Sequence, residues 1–218
     1  MCSSDLRIRG VAKGVRRTKS KFGARLEPGS HVDIQLYTGR TFDTVTQVES
    51  IFNYGEALTD DYSRWTIAGA ILEAAERFTS HEHEPALQEF KLVTGAMKAL
   101  AEDKYDPSMI LDAYLLRSLA VGGYAPSLTN CSKCDASGPH RYFSLVGGGL
   151  VCADCRPSAS ATPAPETLKL MSDLISGNWE SAMASELRNR REANGLIAAY
   201  LQWHLERGLR SLQLVERA

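Results

Sequence analysis

The sequence predicts an α+β protein, with a β module first, a helical domain after it, and a four-cysteine segment between two runs of helices. Apolar and polar residues alternate over residues 32–37, apolar residues recur at helical spacing after about residue 59, and two Cys-x-x-C pairs interrupt the helical pattern. The 218 residues suffice for one or two domains with a hydrophobic core. We expect the four parts to be residues 1–52, 53–125, 126–157 and 158–218.

The β module is predicted from a period of two. Val32, Ile34 and Leu36 alternate with polar neighbours, which is typical of a half-buried strand. A tight turn at residues 38–40 then leads to a second strand over residues 41–48. Alternation over residues 6–9 predicts an earlier strand with a basic outer face. Residues 19–29 carry too many charges and glycines for a regular element and are predicted to be an exposed loop.

The helical domain is predicted from stripes of apolar residues. The first helix follows the cap candidates Thr59 and Asp60, and the second opens near Pro85. A third starts at Asp106-Pro107, an N-cap and first-turn pair, and is apolar nearly all round, as in a buried central helix. After a linker-like stretch at residues 158–165, helices resume near residue 166, and the last runs over about residues 192–215. Two tryptophans are predicted to lie in the core: Trp65 and Trp203.

The four paired cysteines predict a structural zinc site. Cys131 and Cys134 form one pair, Cys152 and Cys155 the other, and 17 residues separate the pairs. Four thiolates suit tetrahedral zinc, and two tight turns joined by a hairpin aim all four sulfurs at one point. Residues 142–146 and 150–151 can pair across three glycines to supply that hairpin. We therefore expect one structural Zn²⁺ per chain.

Three other uses of these cysteines remain open alternatives. A dithiol redox motif would place one Cys-x-x-C at a helix start after a strand, and an iron–sulfur cluster usually has a run of closely spaced cysteines. A catalytic zinc would need an open coordination position, which four thiolates close. A zinc deaminase would need proline before its second Cys-x-x-C pair, where this chain has Val151.

Most enzyme classes find no support in the sequence. No phosphate-binding Gly-Lys loop, dinucleotide fingerprint or nucleophile–base pair is evident, so we expect a protein that is not an enzyme. No apolar run approaches the roughly 20 residues needed to span a bilayer, and no leader pattern is visible. With Cys2 as an odd fifth thiol, the cysteine usage favours a reducing compartment, and we expect a cytoplasmic protein without a membrane partner.

The basic residues are concentrated at the start of the chain. The whole chain has net charge -1, yet no acidic residue falls between the first and last of eight cations. These cations are Arg7, Arg9, Lys13, Arg16, Arg17, Lys19, Lys21 and Arg25. Such a segment on an acidic body selects a polyanion locally, and Phe22 within it is a candidate for stacking on a base. The alternative is a solvated basic loop.

Three stretches together resemble the RecO family of bacterial DNA repair proteins. They are the Ala-Lys-Gly-Val-Arg-Arg-Thr-Lys-Ser-Lys-Phe-Gly motif at residues 12–23, the strand at 31–37 and the cysteine segment at 131–157. The resemblance implies an N-terminal OB-fold, a helical domain and a zinc module. It also implies binding to single- and double-stranded DNA, strand annealing, and action with RecR to load RecA onto strands covered by single-stranded DNA-binding protein.

One departure from the family concerns the start of the chain. Family members carry about two more strands before the basic segment, so we expect a partial version of the five-stranded OB-fold here. A second hypothesis is a zinc-stapled protein–protein adaptor that does not bind DNA directly, with its helical faces as the working surface.

Overall fold

The computed structural model describes residues 7–79, 84–205 and 208–215 and shows a mixed α+β protein with two small sheets. The first six residues, Cys2 among them, lie outside the described residues. The strands of the first sheet are β1 (Gly10–Val11), β2 (Ser30–Tyr37) and β3 (Asp43–Asn53), in the order β1-β3-β2. The second sheet pairs β4 (Tyr142–Ser144) with β5 (Gly149–Val151). The seven helices of the described residues are α1 (Tyr54–Leu58), α2 (Tyr62–Phe78), α3 (Leu87–Ala101), α4 (Pro107–Val121), α5 (Pro165–Ser176), α6 (Trp179–Met183) and α7 (Leu187–His204).

The first sheet centres on the hairpin of β2 and β3. These strands are antiparallel, with register shifts after His31 and Gln35, and β1 joins β3 in parallel. The predicted β2–β3 hairpin is confirmed, although β3 begins later and runs further than expected. The strand predicted at residues 6–9 is wrong, because described residues 7–9 are irregular and the short strand lies at β1. Arg7 instead turns toward the end of α2.

The segment between β1 and β2 is mostly exposed, as predicted for residues 19–29, but some of its apolar side chains are buried. Short-range i to i+3 hydrogen bonds link Ala12 through Ser30 in a chain of turns that includes a 3₁₀ turn at Gly23–Leu26. Val15, Phe22 and Leu26 turn inward and pack with Val45 of β3. The segment is therefore a cover on one face of the sheet, because its apolar side chains anchor it there.

The helical domain is built around α4, as its apolar sequence predicted. Asp106 accepts hydrogen bonds from the backbone N–H groups of Ser108 and Met109, and Pro107 occupies the first turn, so the predicted start is confirmed. Most α4 side chains are buried, and the helix contacts α2, α3, α5 and α7. This main core is continuous, whereas the buried core of the β module consists of Phe22, Val45 and Val48.

Several helix details differ from the sequence expectations. Asp61, not Thr59 or Asp60, caps α2 by accepting from the N–H of Arg64. The last helix begins earlier and ends at His204, and the described chain after residue 208 folds back so that Glu73 accepts hydrogen bonds from the N–H of Ser211.

Both tryptophans predicted to be buried are partly exposed. Trp65 is 44% exposed and Trp203 is 54% exposed. In α7 the buried face is formed by Ile197, Tyr200 and Leu201, and Trp203 lies beside that face.

The cysteine segment forms a small β structure between α4 and α5. The predicted hairpin is confirmed as β4 and β5, and Ser127 adds a parallel bridge to Gly149. Phe143 pairs with Ala161, so the stretch predicted to be a linker is held against β4. Phe143 also contacts the ring of Tyr200 at 5.8 Å between centroids, which fastens the module to α7.

Candidate metal centre and nucleic-acid interface

The four paired cysteines meet at one point. The sulfur atoms of Cys131, Cys134, Cys152 and Cys155 all lie within 4.8 Å of one another, and the Cys134 and Cys152 sulfurs are 3.8 Å apart. A tetrahedral ion with metal–sulfur bonds of about 2.3 Å places its sulfurs about 3.8 Å apart. The residues therefore fit a single ion with four thiolate ligands and no open position, as in a structural site.

Backbone hydrogen bonds hold the first cysteine turn against the second. The N–H of Cys131 donates to the carbonyl of Ala136, and the N–H of Asp135 donates back to the Cys131 carbonyl at 2.8 Å. Asp135 adopts a left-handed φ of 59° that closes this turn. The N–H of Ser132 donates to the carbonyl of Leu150, two residues before Cys152. The backbone of β5 thus holds the two cysteine turns in register with each other.

The protonation of the thiols shows why a cation suits this cluster. The N–H of Cys152 lowers the pKa of Cys131 to about 6, although burial of this thiol opposes ionisation. Hydrogen bonds with the sulfurs of Cys152 and Cys134 raise the pKa of Cys155 to about 12. The pKa of Cys131 is thus lowered, while the pKa values of Cys134 and Cys155 are raised. A divalent cation supplies the charge that lets all four become thiolates.

An aromatic ring contacted by two arginines borders the cysteine cluster, and the sequence analysis missed it. The guanidinium of Arg156 lies 4.2 Å from the ring centroid of Tyr142, and that of Arg141 lies 5.1 Å from it. Arg141 also donates to the Tyr142 hydroxyl at 3.0 Å and, ahead of Arg156, lowers the pKa of that phenol. The adjacent Arg141-Tyr142 pair was a usable signal, whereas Arg156 is brought in by the fold.

The basic segment presents most of its cations to solvent. Because its apolar residues face the sheet, the charged ones face outward, and the exposed members are Arg9, Lys13, Arg16, Arg17, Lys19, Lys21 and Arg25. Lys21 donates to the carbonyl of Thr46 at 3.0 Å, and Arg25 donates to the carbonyl of Lys21 at 3.2 Å. These bonds fix part of the basic surface to β3.

Two residues expected on this surface are placed elsewhere. Arg7 donates to the carbonyls of Glu76 and Thr79 and pairs with the Glu76 carboxylate at 3.6 Å, so it stabilises the carboxyl end of α2. Phe22 is 2% exposed in the core of the β module. Its ring is needed for packing and is not presented to a base.

Comparison with known proteins gives matches across the chain. A family described as "Recombination protein O N terminal" matches residues 4–54, and one described as "Recombination protein O C terminal" matches residues 59–213. The DNA repair protein RecO of Thermobifida fusca is 56% identical, over 97% of this chain and 87% of that protein. The proteins of the same name from Streptomyces avermitilis (54% identical, 97% and 88% covered) and Frankia casuarinae (51%, 97% and 87%) are similar in extent. None of the helices within the described ranges is both long and apolar enough to cross a lipid bilayer.

Proposed function

Because this chain belongs to the RecO family of DNA repair proteins, we propose that it is a DNA-binding recombination mediator without a catalytic step of its own. In this proposal it binds single- and double-stranded DNA and anneals complementary strands. With RecR, it helps to load RecA onto strands covered by single-stranded DNA-binding protein. Its place of action is the cytoplasm, at the nucleoid.

The observation that carries the proposal is the outward-facing basic segment on the β module. The exposed cations lie on a segment that Val15, Phe22 and Leu26 anchor to the sheet. The backbone that carries these charges is therefore held in place. A row of cations releases counterions from a phosphate backbone and binds it without reading sequence. This chemistry suits a protein that must engage any strand exposed by damage.

The proposed division of labour follows the four parts of the chain. Residues 1–52, a partial OB-fold-like module, contact DNA, and residues 53–125 and 158–218 form the helical body. Residues 126–157 bind one Zn²⁺ through the four clustered cysteines. Zinc is proposed because it favours four thiolates in a closed tetrahedron and has no redox chemistry of its own.

The proposal is tested by reversing part of the basic surface. Changing Arg16, Arg17 and Lys19 to Glu should weaken binding of a labelled single strand at least tenfold and reduce the slope of log affinity against log salt by about 2. Fluorescence anisotropy at several salt concentrations measures both quantities. The matched control reverses three exposed cations of the helical body, Lys91, Lys104 and Arg191, and should change the slope much less.

Either of two results would contradict the proposal. If both triple variants bind DNA alike, the basic segment is not the binding surface. If the folded wild-type chain binds no DNA but retains a protein partner after nuclease treatment, the adaptor hypothesis is correct instead.

A further inference from the structure

We propose that the exposed end of the β2–β3 hairpin is a stacking site for unpaired bases, formed by Tyr37 and Phe42 with Arg40 between them. We call this the hairpin site. The inference rests on the proposed DNA-binding function and deepens it, because it assigns the preference for single strands to particular residues outside the basic segment.

Two aromatic rings at this hairpin are exposed without an evident packing role. Tyr37 is 70% exposed and Phe42 is 53% exposed. Tyr37 lies on the solvent-facing side of β2, on which Asp33 and Gln35 also lie. Keeping large apolar rings in water is unfavourable, and a cluster of them on a surface typically marks a binding site. Arg40, in the loop that joins them, is exposed as well.

The backbone places the two aromatic residues at the same end of the hairpin. Tyr37 lies opposite Thr44 in the β2–β3 register, and Phe42 directly precedes β3. The loop is closed tightly, because the N–H of Gly39 donates to the Asp43 carboxylate at 3.3 Å and a Cβ added at Gly39 would overlap the Phe42 carbonyl oxygen.

The surrounding charges favour a nucleic acid at this end of the hairpin. β1 leads into the basic segment, and it begins at this end of the sheet, because its register pairs Gly10 with Asp43. At the middle of the β2–β3 hairpin, Asp33 lies opposite Glu49, and these two exposed carboxylates repel phosphate. The exposed Arg40 in the loop and the carboxylates at the middle of the hairpin therefore favour a nucleic acid at the hairpin end.

Because Phe22 is buried, the basic segment has no exposed aromatic ring to offer to a base. The basic segment offers cations to phosphates, which single and double strands both carry, but the ring within it is packed inside the module. In a duplex the bases are already stacked on one another, so exposed rings contribute only when bases are unpaired. The hairpin site thus discriminates between the two forms, and a protein ligand at these rings is the competing outcome.

The test compares single- and double-stranded DNA on matched variants. The double substitution Tyr37→Ala with Phe42→Ala should weaken binding of a labelled oligothymidylate at least tenfold and that of a duplex less than twofold. Tyr37→Phe with Phe42 intact keeps both rings and should retain full single-strand affinity. Tyr62→Ala removes a similarly exposed tyrosine, 64% exposed on α2, and should leave both affinities unchanged.

A second readout locates the contact directly. An oligonucleotide containing 5-iodouracil, irradiated in complex with the wild-type chain, should cross-link to the peptide that contains Tyr37 or Phe42. Unchanged single-strand affinity of the double variant, an equal loss for duplex, or loss of a protein partner with DNA binding intact would each overturn the inference while the proposed function stands. Failure of the wild-type chain to bind any DNA would overturn the proposed function and the inference with it.

Discussion

Glu89 on α3 is a carboxyl group buried in the main core. It is 5% exposed and accepts hydrogen bonds from the hydroxyls of Tyr114 and Ser118 through one oxygen, while its other oxygen has no partner among the described residues. Burial raises the pKa of Glu89 above its ordinary value, and the two hydroxyl donors only partly oppose this effect. At pH values between the ordinary and the folded pKa, the native protein therefore retains a proton that the unfolded chain has released.

This arrangement predicts how stability changes with pH. Because the folded pKa is raised, the stabilisation by Glu89 is complete below the ordinary pKa and is lost as pH rises through the folded value. Glu89→Gln should therefore raise the unfolding free energy at neutral pH by about 1 kcal/mol or more, and the melting temperature with it. It should also make the melting temperature fall less between mildly acidic and neutral pH. Glu102→Gln, on the surface, is the control; an identical pH profile for both variants would refute the assignment.

Single residues were predictable where a local rule fixes their role. The Asp106-Pro107 start of α4 follows from capping chemistry, and the meeting of the four cysteines follows from the geometry of paired turns. The position of Phe22 did not follow, because an irregular segment has no period to show which side chains turn inward. Arg7 was likewise assigned to the wrong surface, since its partner Glu76 is 69 residues away in the chain.

At the level of elements, the cysteine module depends on glycine at the start of β5. Gly149 has a φ of +126°, which side-chain-bearing residues rarely adopt, and a Cβ there would overlap the backbone of Ser127. The N–H of Leu150 donates to the carbonyl of Ser127, so the two segments lie in direct backbone contact. The strand that registers the two cysteine turns can therefore form only with glycine at this position.

A pair of glycine substitutions tests this requirement. Gly149→Ala should destabilise the protein by about 2 kcal/mol or more and weaken zinc retention, because strain and overlap both fall on the module. Gly95→Ala in α3, where an added Cβ meets no atom within 4 Å, should instead be neutral or stabilising by about 0.5–1 kcal/mol. Thermal unfolding and elemental analysis of the two variants provide the comparison, and equal behaviour would contradict the argument.

Elements with a strong internal pattern were predicted better than those defined by tertiary contacts. The apolar circumference of α4 and the alternation of β2 both identified their elements. The end of α7 was missed because the apolar stripe continues beyond His204, while the chain after residue 208 is redirected by hydrogen bonds to Glu73. The pairing of Ala161 with Phe143 was not predicted either, because the composition of residues 158–165 is typical of a linker.

For the whole molecule, the four-cysteine cluster lies in a long segment of the chain between α4 and α5. These two helices also pack directly against each other, and the module is fastened to α7 through Phe143 and Tyr200. Loss of the ion should loosen the module without dissolving the helical core. The effect on stability should therefore be large but local in origin.

Metal removal tests this expectation. We expect one equivalent of zinc per chain, and a strong chelator should lower the melting temperature by several degrees, since 1 kcal/mol corresponds to about 2–4 °C for a protein of this size. Cys131→Ser should show the lower melting temperature without any chelator, and adding the chelator should not lower its melting temperature further. A chain without zinc by elemental analysis, or a Cys131→Ser variant as stable as the wild type, would rule out a structural site.

The all-round burial of α4 has a consequence for synthesis of the protein. Its partners α2 and α3 precede it, but α5 and α7 follow, and α7 ends about 80 residues after α4 does. At roughly 5–20 residues per second, translation leaves one side of this apolar helix uncovered for about 4–16 s. During that interval the nascent chain exposes an apolar surface of α4 to solvent. We therefore expect chaperones to bind the nascent chain at α4.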